Sequence, residues 1–256
     1  MRNHDLRAIF EAIKTSGYKL PAEIQKHNDD ADKIHQAVLE VRATSTNYQA
    51  LAASWATSIL EDRDPIEDPD ILRVLIANVL NQGDIDSAAS TAHENKLIHL
   101  LPKYHNGILA AFKAAADEAG ATLTEAHKII GTADINDLSR IAGMGAVAVD
   151  ARDNMIESNR ILRVIDQGWI AMQRLARVLP DIPWRLRMGD MDLNTYEKTT
   201  YARKPSDLIV KGVTINLAAN AETIKDRLEQ EREERENMQR EIDDRARGKY
   251  SVVSRG

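Results

Sequence analysis

Three sets of residues in this sequence have types and spacings that could do chemistry. The first is Gly143-Met144-Gly145, which separates two stretches of apolar periodicity. Glycines let a backbone approach an anion closely, and a helix starting just after them adds unpaired N–H groups and a favourable dipole. The second is Glu241-x-x-Asp244, whose spacing puts two carboxylates on one helix face, where they could hold Mg²⁺. The third is the seven histidines, among which Asp32-x-x-His35 comes nearest to a metal motif. A di-iron bundle needs paired Glu-x-x-His motifs, but here Asp replaces Glu and no second copy exists. His93, His99 and His105 are six residues apart, so they do not share a helical face, and Pro102 lies between two of them. The sequence contains no His-Glu-x-x-His, no Gly-x-Ser-x-Gly and no phosphate-binding Gly-x-x-x-x-Gly-Lys-Ser/Thr. The absence of cysteine excludes thiol nucleophiles, Fe–S clusters and Cys-type zinc sites. No catalytic residue, metal or cofactor is therefore assigned.

Residues 137–149 resemble a helix-hairpin-helix nucleic-acid-binding motif. Leu138, Ile141, Gly143, Met144 and Gly145 match its short helix and Gly-hydrophobic-Gly hairpin. The resemblance implies that backbone N–H groups at Gly143 and Gly145 contact a phosphate. Two departures stand out: Ala142 replaces the usual proline, and Ala146-Val147-Ala148 replaces the usual basic residue after the second glycine. Arg160, Arg163, Arg174, Arg177, Arg185 and Arg187, against Asp166 and Asp181, form a basic run that could assist, with Arg160 and Arg163 as its candidate contacts. The Gly143 to Ala148 spelling of a dinucleotide fingerprint is rejected, because no strand precedes it and no βαβ series surrounds it. Glu241-x-x-Asp244 is similar to one acidic spacing of all-helical, Mg-dependent nucleotide pyrophosphatases. Arg232, Arg235, Arg240 and Arg245 are interleaved with it, which favours intrahelical ion pairs over a metal site.

Composition narrows the class. The 256 residues include 12 Gly and 7 Pro, together below the roughly 12% usual for the pair, which argues against a loop-rich β-sandwich. Aromatics are only 4%, so the core must be built from Ala, Leu, Ile and Val. The net charge of −6 belongs wholly to residues 1–121, with 18 acidic against 12 basic side chains. Residues 122–180 carry seven of each sign and residues 181–256 fifteen of each. The opening Met1-Arg2-Asn3-His4-Asp5 has no apolar run, so no signal peptide is expected. The most apolar stretch, residues 71–80, is interrupted by Arg73 and Asn78 and is about half the length of a membrane span.

Helices must position these residues. Leu6, Ile9, Phe10 and Ile13 predict a helix over 5–16, stopped at Gly17, and Pro21 fits the first turn of the next. Residues 29–62 continue helically, weakened at Thr44-Ser45-Thr46-Asn47. Asp68-Pro69 starts a helix ending at Gly83, and Asp84 starts another to about 101. After Pro102 a helix is expected to close at Gly120, with Thr122-x-x-Glu125 capping a separate short one. A short helix over 135–142 and a long one over 146–179 follow, ended by Pro180 and Pro183. Trp184-Arg185-Leu186-Arg187-Met188 alternates like a strand, and Leu208 to Ile215 around Lys211-Gly212 reads as a hairpin. The last helix, over 221–247, holds ten acidic and seven basic residues between Glu222 and Arg247.

The expected fold is mainly α. It comprises an acidic helical bundle (1–121), a second helical unit (122–180), an irregular arm with a hairpin (181–220) and a charged C-terminal helix and tail (221–256). The thin stripe Ile224, Leu228, Met238 and Ile242, together with Trp184 and Leu186 of the arm, is expected to lean on a protein partner, in a homo-oligomer or larger assembly. The expected function is that of a non-enzymatic structural, assembly or adaptor protein of the cytoplasm or of a virus or phage particle, without membrane contact. Nucleic-acid binding through Gly143 and Gly145, and Mg-dependent nucleotide hydrolysis through Glu241 and Asp244, are the alternatives.

Overall fold

The computed structural model describes residues 2–45, 48–177 and 183–253. It is mainly α, at 79% helix. Among the described residues no helix is long and apolar enough to cross a membrane. The chain forms two compact units, residues 20–103 and residues 1–19 with 104–256. The expected borders at 121, 180 and 220 coincide with neither unit.

The larger unit is organised by three helices, α1 (Arg2–Ser16), α6 (His105–Ile130) and α8 (Ala146–Leu175). Ile9 on α1, Ile108 and Phe112 on α6, and Leu162, Ile165 and Trp169 on α8 have no exposed surface. Each such side chain contributes roughly 1.5–3 kcal/mol relative to exposure. The smaller unit contains α2 (Ala22–Thr44), α3 (Tyr48–Leu60), α4 (Pro69–Gln82) and α5 (Ile85–Leu100). Asp68 caps α4 by accepting from the N–H groups of Asp70 and Ile71, and Asp84 caps α5 through Ser87. The weak stretch Thr44-Ser45-Thr46-Asn47 coincides with the end of α2, with Thr46 and Asn47 outside the described residues.

Several expectations are corrected. No helix ends at Gly120: α6 runs through it, and Thr122 and Thr124 donate their hydroxyls back to the carbonyls of Glu118 and Gly120 instead of capping a new helix. Gly120 is small for a packing reason, since a Cβ there would meet the Ile215 side chain at 2.5 Å. Among the described residues the arm contains no β-hairpin. Residues Trp184–Met188 form the short helix α9, followed by α10 (Leu193–Lys198) and α11 (Pro205–Val210). Pro205 suits a helical first turn, and the Asp207 carboxylate accepts from the N–H groups of Arg203 and Lys204, which favours helix over strand. The run after Gly212 does extend, but its ladder-type backbone pairing is with the end of α9 and not with a second strand of a hairpin. Asn216 and Ala218 donate to the carbonyls of Met188 and Arg187, giving an isolated antiparallel bridge between Gly189 and Ile215. Pro180 lies outside the described residues.

Much of the apolar surface of the arm and of the start of the last helix is covered within the chain itself. Leu186, Met188, Leu193, Leu208, Val213, Ile215, Leu217 and Ile224 are all buried within the chain. The Trp169 indole donates to the Ala218 carbonyl at 2.9 Å, tying this stretch to α8. The alternation of Trp184 to Met188 misleads because Arg187 is itself buried, with Asp166 of α8 gripping it at 2.9 and 3.0 Å. The last helix, α12 (Ala221–Val253), begins inside this packed region.

Candidate functional site

The glycine turn joins α7 (Leu138–Gly143) to α8. The Asp137 carboxylate accepts from the Arg140 N–H at 3.0 Å and fixes the start of α7, while Ile141 anchors it in the core. Gly145 stands at the N-cap of α8 with φ +98, a conformation L side chains rarely adopt. No side chain caps α8, and a Cβ at Gly143 or Gly145 would meet nothing within 4 Å. Gly145 therefore serves the turn, and neither glycine serves close packing. Leu138, Met144 and Val147 are exposed around it.

The basic run does not converge on this turn. Arg160 is fifteen residues along α8 from Gly145, roughly 22 Å at helical rise. It holds Glu157 in a two-point ion pair, which raises the guanidinium pKa and lowers that of the carboxyl. Arg163 is exposed on the next turn. Arg174 pairs with Asp5 at 3.5 Å. Arg185 donates to the Tyr196 carbonyl and lies 4.1 Å over its ring, and Arg187 is sequestered with Asp166. Asp181 is outside the described residues.

The acidic and histidine candidates are likewise dispersed. Glu241 pairs with Arg245 one turn on, and Asp243 accepts from Gln239. Among the described residues no group of three or more His, Asp or Glu is placed to hold a metal ion. In the smaller unit, Asp32 and His35 line a groove of about 660 Å³ between α2 and α5, together with Arg42, Asp86 and His93. Arg42 and Asp86 neutralise each other across it. The His93 ring stacks on His27 with centroids 4.6 Å apart. Burial, then the neighbouring His27, pushes the His93 pKa below the usual imidazole value.

The partner-facing candidates separate along α12. Leu186 and Ile224 are buried within the chain, and Trp184 and Leu228 are half-buried. The base of the helix is clamped by Arg227, which donates to the carbonyls of Leu186, Arg187 and Asn216 at 2.7, 3.3 and 2.9 Å. Its burial lowers the guanidinium pKa, opposed by Asp190 and Asp117. Two turns further, Glu234 accepts from the Leu193 N–H at 2.7 Å, and Arg235 reaches Glu197 at 3.8 Å. Beyond Arg235, the described ion pairs of α12 are internal to the helix, as Arg240–Glu236 and Arg245–Glu241 show. There Met238 is 43% and Ile242 52% exposed, continuing the stripe that Ile224 and Leu228 begin. Reading the sequence located this stripe but missed the Arg227 and Arg187 anchors. Both sit in charged or alternating surroundings that resemble solvated surface, and no local signal marks them as buried.

No family model, no curated protein and no solved structure matches this chain.

Proposed function

We propose that this chain is a non-enzymatic structural or assembly protein that associates with copies of itself or with another protein through the outer half of α12. The observation that carries this reading is the change of environment along one stripe. Ile224 is fully buried within the chain and Leu228 half-buried, while Met238 and Ile242, at the same helical spacing, are exposed. From Glu236 to the end of the helix is about 27 Å at helical rise. A helix this polar gains only a few tenths of a kcal/mol from each exposed ion pair, so pairing along a narrow apolar seam adds much of what would hold it. Such a body with a clamped, projecting helix suits assembly in the cytoplasm or in a virus or phage particle.

The test is light scattering on the full chain and on a Met238→Glu/Ile242→Glu double variant. The reading expects an oligomer that becomes smaller in the variant, with helical content unchanged. A mass identical in both proteins overturns self-association through this seam.

Nucleic-acid binding is supported by one observation: Gly145, at φ +98, starts α8 without a side-chain cap, and Ala146 and Val147 at its first turn are exposed residues. Binding of duplex DNA that weakens steeply with salt, and weakens further in Gly145→Ala, is the result this second reading requires.

A further inference from the structure

α4 of the smaller unit is apolar on nearly every side. Its sequence, Pro-Asp-Ile-Leu-Arg-Val-Leu-Ile-Ala-Asn-Val-Leu-Asn-Gln, places Ile71, Ala77 and Asn78 in the interior. A second stripe, Leu72, Ile76, Val79 and Leu80, has the i, i+4, i+7, i+8 spacing of one helix face. Leu72 is half-buried, whereas Ile76 is 56%, Val79 60% and Leu80 38% exposed. A helix that is apolar all round is normally buried all round, so this face lacks a neighbour.

Charge selects among occupants. Residues 20–103 carry fourteen acidic against seven basic side chains, a net charge of −7, while the rest of the chain is close to neutral. Glu67 and Asp70 precede the bare stripe and Asp84 follows it, with Arg73 as the basic residue within α4, while Asp68 and Asp86 are paired with Arg63 and Arg42. Two copies of so acidic a unit would repel one another across this face, and a cationic helix would be attracted. We infer that the Leu72–Leu80 face of α4 is a docking surface for a basic amphipathic helix of a partner protein, with an apolar stripe of two to three turns flanked by Lys or Arg. This site is separate from the α12 seam and stands whether or not α12 pairs.

The test uses the full chain and two synthetic 14-residue helical peptides with the same leucine stripe, one flanked by lysines and one by glutamates. Binding is followed by fluorescence anisotropy at low and high salt. The lysine peptide is expected to bind and to be weakened by salt. Ile76→Lys/Val79→Lys is expected to lower its affinity at least tenfold, with an unchanged circular dichroism spectrum and melting curve. Equal binding of both peptides, no binding of either, or unchanged affinity in the double variant overturns the inference. So does light scattering in which the wild-type chain is a dimer that this double variant dissociates, because a second copy would then be the occupant.

Discussion

Phe112 and Trp169 in the larger unit have no exposed surface, whereas in the smaller unit Leu60 is 85% exposed and Ile59, Ile66, Ile76 and Val79 also face solvent. Both units are helical, so propensity does not explain the contrast. Length and small residues do. α6 and α8 have 26 and 30 residues, long enough for continuous ridges to interlock, and small residues let their neighbours in. Ala12 of α1 sits against the backbone of Gly168 on α8, leaving no room for a Cβ there, and Ile215 does the same at Gly120. The helices of the smaller unit, α2 to α5, have 13 to 23 residues and bury fewer large side chains, among them Ile24, Val38, Ile71, Leu97 and Leu100. A small unit buries a smaller fraction of its surface, and what it leaves exposed is available to a partner.

The largest expected effect is in the larger core. Trp169→Ala should cost about 3–5 kcal/mol, because it leaves a cavity and strands the Ala218 carbonyl. Denaturant unfolding followed by circular dichroism would measure it, and a loss below about 1 kcal/mol would remove the contrast between the units. Asp166→Ala should cost about 2–3 kcal/mol in the same assay, since it leaves the Arg187 guanidinium buried without its carboxylate. Gly120→Ala comes next, at about 1–3 kcal/mol, from collision with Ile215. The equivalent comparison without mutation is amide hydrogen exchange, where amides of α2 to α5 should exchange sooner than those of α6 and α8.

The smallest effect concerns pH and belongs to the smaller unit alone. The folded state lowers the His93 pKa, so the unfolded chain takes up a proton that the folded imidazole refuses. The stability this group gives is complete above the ordinary imidazole value of about 6.5 and is lost as pH falls below it toward the depressed folded value. Melting temperatures at pH 7.5 and 5.5 should therefore differ less in His93→Gln than in the wild-type chain. An unchanged difference would show that burial of the His93 imidazole does not govern the acid response.

Local punctuation made much of the helical order legible. Asp68-Pro69 and Gly83 bracket α4 because a cap, a first-turn proline and a terminal glycine act within a few residues. Gly120 carried the opposite meaning, since its size answers to Ile215, ninety-five positions away, and not to a chain break. Leu208 to Ile215 has the local pattern of a hairpin, with β-branched residues on both sides of Lys211-Gly212, but the Asp207 cap and packing against α6 and α8 decide for a helix and a short extended return. The glycine turn was visible as a turn, and so was the thin stripe of α12. Where that stripe passes from covered to bare depends on how far the arm reaches along it, a property of the folded chain that spacing does not contain.

The Arg227 clamp turns α12 into a lever with a fixed fulcrum. Whatever grips the outer turns pulls on a guanidinium that also closes off the end of α9 and the extended return beside it. Tension or torque applied at the far end would thus be felt first by the short helices of the arm, and only afterwards by the three-helix core beneath them.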